Sequence, residues 1–244
     1  MKSTHVFGLH AVNSVLRNRP DSVIKLLLSD NRNDKRLLQL EALAEQSGVE
    51  IERVSGKELQ RQYGEYRHQG VVAQCKVREV LSEPELLNLV TTLENPLLLV
   101  LDGVTDPHNL GALLRTADAA GVDAVITPRS GSAGLTPVVR KVASGAAETI
   151  AFCPVANLAR TLGELKSLGV WLYGTTENGE SNYTAIDFTG SVALAMGAEG
   201  KGLRRLTSEA CDGLISIPMA GSVSSLNVSV AAGVCLFEVV RQRG

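Results

Sequence analysis

Three loops concentrate the side chains of this sequence that could do chemistry. They span residues 102–115, 195–202 and 217–231, and each follows or begins at a short apolar run. Between them they supply two amides, a hydroxyl, a carboxylate and a guanidinium, namely Asn109, Asn227, Ser225, Glu199 and Arg115. Such groups orient a polar substrate by hydrogen bonds and help to move a proton. Because an α/β sheet usually presents its site in the loops that follow its strands, the three loops predict one shared site.

Each of these side chains also has a purely structural interpretation. Arg115 fits a charge on the surface of a helix, and Asn109 and Asn227 fit helix caps. Glu199 is harder to explain in this way, because a carboxylate adds little to a glycine-rich loop, but it could pair with a neighbouring surface cation. The sequence alone leaves both interpretations open.

The glycines of the middle loop suit close contact with a ligand. Gly197, Gly200 and Gly202 carry no side chain and permit unusual backbone angles, so backbone N–H and C=O groups there could hold an adenine. Ordinary turn chemistry explains the same three residues equally well.

Composition bounds the class of protein. A chain of 244 residues with 44% hydrophobic and 20% charged residues can form one large or two modest domains with real cores. We expect a cytoplasmic protein, because no apolar run approaches the length of a membrane span and the first residues lack a hydrophobic signal core. Four widely spaced cysteines, without a CxxC pair, predict reduced structural thiols and no metal site: Cys75, Cys153, Cys211 and Cys235.

The distribution of charge is more informative than the net charge of −2. Residues 1–75 carry 11 lysines and arginines against 9 acidic residues, whereas the remainder carries 13 against 17. If RNA is a partner, the N-terminal part is therefore the expected gripping surface. Solvated surface charge explains the same residues, of which the candidate phosphate contacts are Arg17, Arg19, Lys35, Arg36 and Arg61.

The hydrophobic pattern divides the chain into two α/β domains and a linker. Residues 1–77 alternate helices and strands, beginning with a helix expected over residues 5–17. Residues 78–96 predict a linker with one short helix, because the sequence from Ser82 to Glu85 matches a capping box. In residues 97–244, continuous apolar runs predict a largely parallel sheet that is buried on both faces, with strands at 97–101, 124–127, 170–173, 192–196 and 214–217.

The three loops resemble the motifs of the SpoU (TrmH) family of SPOUT RNA 2′-O-ribose methyltransferases. The matching stretches are NLGALLR at 109–115, MGAEGKGL at 196–203 and IPMAGSVSSLNVSVA at 217–231, in the order and spacing of the family. GLHAV at 8–12 and HQGVVA at 68–73 are similar to the substrate-binding domain of the family, so the resemblance covers nearly the whole chain. Within the family it is greatest to bacterial enzymes that methylate a guanosine of 23S rRNA.

The resemblance implies a particular fold and assembly. The expected C-terminal domain is an α/β-knot, with a deep trefoil knot in a mostly parallel sheet, and the smaller N-terminal domain is α/β/α and similar to ribosomal protein L30e. General topology rules make a knot a rare exception, so this expectation comes from the family alone. The family also implies a homodimer through the C-terminal domain, in which each active site is completed by the other subunit.

The resemblance further implies the reactants. S-adenosylmethionine would donate a methyl group to the ribose 2′-OH of a guanosine in the peptidyl-transferase region of 23S rRNA. The backbones around Gly197, Ile217 and Leu226 would line the cofactor, with Met219 packed on it. The family sometimes assigns the residue equivalent to Arg115 as the general base, but an arginine stays protonated in proteins, so we expect it to clamp the phosphate beside the target ribose. The base could then be that phosphate, a water or transiently the arginine.

The remaining motif residues have less distinct expected roles. Glu199 would orient Arg115 or the nucleotide, and Ser225 and Asn227 would fix the third loop and hydrogen-bond the acceptor or Arg115. Three alternatives remain: a tRNA ribose methyltransferase of the same family, a dinucleotide-dependent oxidoreductase, and an RNA-binding homologue that has lost catalysis. The N-terminal domain favours rRNA, the glycine spacing does not match G-x-G-x-x-G, and none of the motif residues is missing.

Overall fold

The structure is a computed structural model that describes residues 3–32, 34–64, 66, 68–76 and 79–244. The chain divides into two compact units, one of residues 1–79 with 144–149 and one of residues 80–143 with 150–244. The domain boundary expected at residue 77 lies outside the described residues. Residues 144–149, which the sequence pattern placed in the second domain, cluster with the first unit.

The first unit is built around a mixed sheet of four strands in the order β1-β4-β2-β3, in which β2 and β3 are parallel and the other pairs antiparallel. The helix expected over residues 5–17 is wrong in its first part. Residues 3–7 pair with β4 as an antiparallel strand, and the helix begins only after Gly8, whose φ is +89°. In chain order the elements are β1 Ser3–Phe7, α1 Leu9–Asn18, β2 Val23–Ser29, α2 Lys35–Gln46, β3 Ile51–Val54, α3 Gly56–Tyr63 and β4 Val71–Lys76.

Side chains from both helices and strands close the core of this unit. Leu16 of α1, Leu37 of α2 and Leu26 of β2 are almost completely buried in one cluster. A second, half-buried group consists of aromatic rings, in which Phe7 and Tyr66 stack with centroids 4.2 Å apart. Burial of this kind is the main source of stability for a unit of about this size.

The second unit contains a seven-stranded sheet in the order β7-β6-β5-β10-β8-β11-β9, and every neighbouring pair among the described strands is parallel. This confirms the predicted α/β class with a mostly parallel sheet. The trefoil knot remains a prediction from the family resemblance. In chain order the elements are α4 Glu83–Thr92, β5 Leu97–Asp102, α5 Pro107–Ala119, β6 Ala124–Pro128, α6 Pro137–Ala143, α7 Ala146–Thr149 (in the first unit), β7 Ala151–Val155, α8 Leu158–Ser167, β8 Trp171–Thr175, β9 Ser181–Asn182, β10 Val192–Gly197, α9 Arg205–Ala210, β11 Gly213–Ser216 and α10 Val228–Arg243.

Strands β5, β6 and β10 of the sheet are buried on both faces. Leu98 and Val100 of β5 lie in a cluster with residues of α4 and α8. Leu97 and Leu99 alternate with them and are equally buried, so they face the opposite side of the sheet. α10 packs against β10 and against α5. Parallel strands with helices on both faces explain the continuous apolar runs in the sequence.

The helix predicted in the linker belongs to the core of the second unit. Leu86 and Val90 of α4 are buried with the strands of the sheet. The capping box is present, because the backbone N–H of Ser82 donates to Glu85 Oε2 at 2.7 Å. Glu83, at the start of α4, accepts a hydrogen bond from Arg160 Nη2 of α8 at 2.6 Å. This bond links α4 to α8.

Candidate active site

The loops of the candidate site share one edge of the parallel sheet. β5 ends at Asp102, β8 at Thr175, β10 at Gly197 and β11 at Ser216, and parallel strands that are adjacent in a sheet direct their carboxyl ends to the same edge. The sheet order places β10 between β5 and β8. The loop that follows β10 is therefore flanked by the loops of β5 on one side and of β8 and β11 on the other, as the ligand sites of parallel sheets usually are.

One asparagine connects the three sequence motifs. The Nδ2 group of Asn227 donates to Asn109 Oδ1 at 3.0 Å and to Glu199 Oε1 at 2.6 Å. Its Oδ1 accepts the backbone N–H of Ser229 at 2.9 Å and thereby caps α10. One end of the Asn227 amide thus caps α10, as one interpretation of the sequence expected, and the other end contacts the two other motif loops. The cap of α5 is Asp106 and not Asn109, whose side chain is buried.

A first cavity, of about 340 Å³, lies on the β8 and β11 side of this junction. All four residues expected to bind the cofactor line it, namely Gly197, Ile217, Met219 and Leu226. Glu199 and Ser225 line the same cavity. Its volume lies at the lower end of the range for small-molecule sites.

The wall of this cavity is made by main chain in close contact. A Cβ atom added to Gly197 would lie 2.1 Å from the carbonyl carbon of Gly202. Next to the wall, a Cβ on Gly179, which follows the lining residue Asn178, would lie 2.3 Å from the carbonyl carbon of Ile215. Gly200 and Gly202 have φ values of +72° and +64°, which side chains disfavour. A cavity bounded by exposed backbone groups and a few apolar side chains suits an adenine nucleoside with a small aliphatic tail, so the residues fit the expected cofactor.

Arg115 lies apart from the other motif residues. It is exposed on α5, and within the described part of the chain it makes no hydrogen bond or ion pair and lines neither of the two cavities. The next residue, Thr116, faces α10, since its Cγ2 atom lies 3.5 Å from the position of a Cβ on Gly233. The structure therefore brings together Asn109, Glu199 and Asn227, but not Arg115.

A second cavity, of about 540 Å³, lies on the β5 side of the junction. Asn109 and Glu199 line it together with two residues that the sequence did not single out, Asp102 and Arg204. The Asp102 side chain is fully buried at the end of β5, and its Oδ2 accepts the backbone N–H of Arg204 at 2.8 Å. This bond joins the start of the first motif loop to the residue that follows the second motif, 102 positions further along the chain.

The loop after β8 was not predicted from the sequence to belong to the site. Thr175, Thr176, Glu177 and Asn178 line the first cavity. The signal was available, because these polar residues follow an apolar run as the other three loops do, and a glycine comes directly after them. The loop was missed because it belongs to none of the motifs that carry the resemblance.

The cysteines of the structure are thiols held in apolar surroundings. Burial raises the pKa of Cys75 and Cys235 to about 12 and that of Cys153 and Cys211 to about 11. Thiols with such raised pKa values stay protonated and are poor nucleophiles. Within the described ranges, no group of three or more His, Cys, Asp or Glu side chains is placed to hold a metal ion. The helices in those ranges are also too short or too polar to cross a membrane.

Family models match both parts of the chain. The model of the SpoU rRNA Methylase family matches residues 96–237, and a model described as RNA 2'-O ribose methyltransferase substrate binding matches residues 5–81. The first match spans more than half of the chain and includes the three loops that meet at Asn227. The chain belongs to the SpoU rRNA methylase family.

Within this family, the chain is similar over its full length to proteins of one kind. It is 52% identical over 242 residues to the 23S rRNA (guanosine-2'-O-)-methyltransferase RlmB of Shewanella oneidensis, with 99% of this chain and 98% of that protein covered. It is 54% identical over 241 residues to the protein of the same name from Yersinia pestis, with 98% and 97% covered.

The chain is also similar in structure to solved proteins of this family. The SpoU methyltransferase AviRb from Streptomyces viridochromogenes, in complex with the cofactor AdoMet, aligns with a TM-score of 0.73 and 26% identity over 99% of this chain and 90% of that one. A TrmH/SpoU tRNA modifying enzyme from A. aeolicus aligns with a TM-score of 0.55 and 31% identity, but over only 66% of this chain and 84% of that one.

Proposed function

We propose that the chain is an S-adenosylmethionine-dependent methyltransferase that methylates the ribose 2′-OH of a guanosine in 23S rRNA. The observation that carries the proposal is the junction at Asn227, which ties three motif loops together beside a glycine-walled cavity. Relatives that are named for this activity match from end to end at 52–54% identity. The peptidyl-transferase region is the expected location of the target guanosine.

The first cavity is the proposed donor site. S-adenosylmethionine supplies a methyl group on a positively charged sulfur, which a nucleophilic oxygen can attack. Backbone groups around Gly197 and Leu226 hold the adenine, and Ile217 and Met219 provide apolar contact. Ser225 lines the same cavity and fixes the third loop against the donor.

The junction itself positions the acceptor. Asn227 donates to Glu199 and so holds that carboxylate at the wall that the two cavities share. From this position Glu199 orients the nucleotide that brings its 2′-OH to the donor. Arg115 clamps the phosphate beside the target ribose and offsets negative charge that develops on the attacking oxygen.

The position of Arg115 supports a site that two subunits build together. Because it is remote from both cavities of its own chain, we propose that it acts in the site of the partner in a homodimer. Apolar side chains on α10 support such an interface, since Val230 and Phe237 are 52% and 50% exposed and lie two turns apart on one face. Phe237→Arg should yield monomers in analytical ultracentrifugation. If that variant stays dimeric, this interface is ruled out.

The first unit is the proposed RNA-gripping part. Arg17, Lys35, Arg36 and Arg61 are exposed and available to phosphates. Arg19 is held differently, because its Nη1 donates to the carbonyl oxygen of Glu148 at 2.5 Å within the same unit. Since rRNA is the proposed substrate, we place the protein in the cytoplasm, where ribosomes are made.

Two assays test the proposed function. Transfer of a labelled methyl group from S-adenosylmethionine is measured on naked 23S rRNA and on tRNA, followed by mapping of 2′-O-methyl groups. We expect methylation of one guanosine in 23S rRNA only. Methylation of tRNA alone would favour the tRNA alternative, and absence of S-adenosylmethionine binding in calorimetry would favour an RNA-binding protein without catalysis.

A further inference from the structure

The second cavity has features that the donor site and the motif residues do not explain. It lies above β6, β5 and β10, and its wall includes Asp106, Gly131 and Arg204 besides the shared Asn109 and Glu199. The resemblance assigned no role to Asp106 or Arg204. The cavity is larger than the first one and adjoins it, because Glu199, Lys201 and Gly202 line both.

Contacts within the chain fix the position of the Arg204 side chain. Its backbone N–H is bound by Asp102 Oδ2 at 2.8 Å, and its Nε lies 3.4 Å from Asp102 Oδ1. Its Nη2 lies 3.2 Å from where a Cβ would stand on Gly103 and 3.3 Å from where one would stand on Gly131, so the guanidinium packs closely against both glycines. About half of the Arg204 side chain, 53%, nevertheless remains exposed. A solvated surface arginine does not need a buried carboxylate.

The cavity also offers an acceptor. Asp106 caps α5 with Oδ1, which accepts the N–H of His108 at 2.9 Å. Its Oδ2 makes no hydrogen bond within the described residues. The Arg204 guanidinium can thus donate two parallel hydrogen bonds to a ligand. The Asp106 carboxylate can accept hydrogen bonds from the same ligand.

This combination matches guanine better than it matches phosphate. The lining includes three carboxylates, of Asp102, Asp106 and Glu199, against the two cations of Lys201 and Arg204, so an anion gains no net attraction. Guanine presents two acceptors, O6 and N7, which pair with the fork of an arginine. It presents two donors on its N1 and N2 atoms, which pair with a carboxylate. Adenine lacks the O6 acceptor and the N1–H donor.

We propose that the second cavity binds the guanine base of the target nucleotide. Arg204 donates to O6 and N7, and Asp106 accepts from N1–H and the N2 amino group. Enzymes that act on a single nucleotide of RNA read unstacked bases along these edges. The inference rests on the proposed function and deepens it, since it names the residues that select guanosine.

Atomic changes in the RNA test each contact separately. Synthetic rRNA fragments carry guanosine, 7-deazaguanosine or inosine at the mapped methylation site, which removes N7 or the N2 amino group alone. The ratio of kcat/KM between guanosine and each analogue is measured for the wild-type protein, Arg204→Met and Asp106→Asn. Asparagine caps a helix as well as aspartate does, so the second variant keeps α5 intact. Arg205→Met is the matched control, because Arg205 is exposed and pairs with Glu209 at the surface.

We expect each of the two variants to lose the preference for guanosine over one analogue and to keep the preference over the other. The wild-type protein and Arg205→Met prefer guanosine to either analogue, by about 10-fold or more. Arg204→Met loses the preference over 7-deazaguanosine and keeps that over inosine, whereas Asp106→Asn does the reverse. Unchanged ratios in both variants, with normal S-adenosylmethionine binding by calorimetry, would overturn the inference while leaving the proposed function standing. Failure of the wild-type protein on the guanosine fragment and on 23S rRNA would overturn both. If Arg204→Met does not fold, the inosine ratio of Asp106→Asn decides.

Discussion

The two cavities share the loop after β10 but are built by different means. The first, between β10, β8 and β11, is walled by glycine backbone and apolar side chains such as Ile217 and Met219. The second, between β6, β5 and β10, is lined by charged side chains held at fixed positions, with Arg204 seated on the buried Asp102. With the donor in the first cavity and the acceptor in the second, as proposed above, backbone groups would recognise one reactant and charged side chains the other. Backbone contacts tolerate no added atoms, whereas side-chain contacts depend on the chemical identity of each group.

The largest expected effect comes from adding one methyl group to the wall of the first cavity, which is the proposed donor site. In Gly197→Ala the new Cβ would lie 2.1 Å from the carbonyl carbon of Gly202, and neither backbone segment can yield without opening the loop. We expect S-adenosylmethionine binding to weaken by about 100-fold or more in calorimetry. Gly163→Ala in α8 is the control, because a Cβ there meets nothing within 4 Å. Normal cofactor binding by Gly197→Ala would show that this wall is not the donor site.

The next effect concerns a residue outside both cavities. Arg115→Lys keeps the positive charge but loses the planar fork that holds a phosphate. We expect kcat to fall by roughly 100-fold with unchanged S-adenosylmethionine affinity, because the lost contacts form with the acceptor. Arg205→Lys should leave both quantities unchanged. Near-normal turnover of Arg115→Lys would refute the phosphate clamp.

A smaller effect is expected at the junction of the two cavities. Asn227→Asp keeps an oxygen that can cap α10, but it loses the donor to Asn109 and Glu199 and places a second carboxylate beside Glu199. We expect kcat to fall roughly 30-fold. The midpoint of thermal unfolding of Asn227→Asp should fall far less than that of Asn227→Ala, which also loses the cap. Asn157→Asp, which changes the cap of α8 in the same way, is the control.

Buried parallel strands were the part of the fold that sequence could predict. β5, β6 and β10 appear as continuous apolar runs because both of their faces are buried. β8 and β11 were also predicted from apolar runs, although they are only partly buried. β7 was missed, since Pro154 interrupts its pattern, but β7 lies at the edge of the sheet, where a proline can be accommodated. The first strand was mistaken for part of a helix because its pairing partner, β4, lies more than sixty residues away.

The candidate site likewise contains residues that a local sequence pattern predicted and residues whose position depends on contacts with distant parts of the chain. Asn109, Glu199 and Asn227 were predicted because each lies in a motif whose polar residues stand out beside an apolar run. Asp102 and Arg204 were missed, because a single aspartate at the end of a strand is unremarkable until its partner is known. Hydrogen bonds that span about a hundred residues leave no periodic pattern in the sequence.

The smallest expected effect separates stability from recognition. Glu238 of α10 lies in neither cavity, and its bonds from Arg241 and Gln242 lower its pKa from 4.5 to about 2. A carboxyl group with a lowered pKa in the folded state contributes stability above about pH 4.5, and this contribution is lost as the pH falls from 4.5 towards 2. In urea unfolding, Glu238→Gln should therefore be less stable than the wild type at pH 7, and the difference should shrink between pH 5 and pH 3. Base selectivity at pH 7 should stay unchanged. A pH-independent difference would show that Glu238 acts through packing alone.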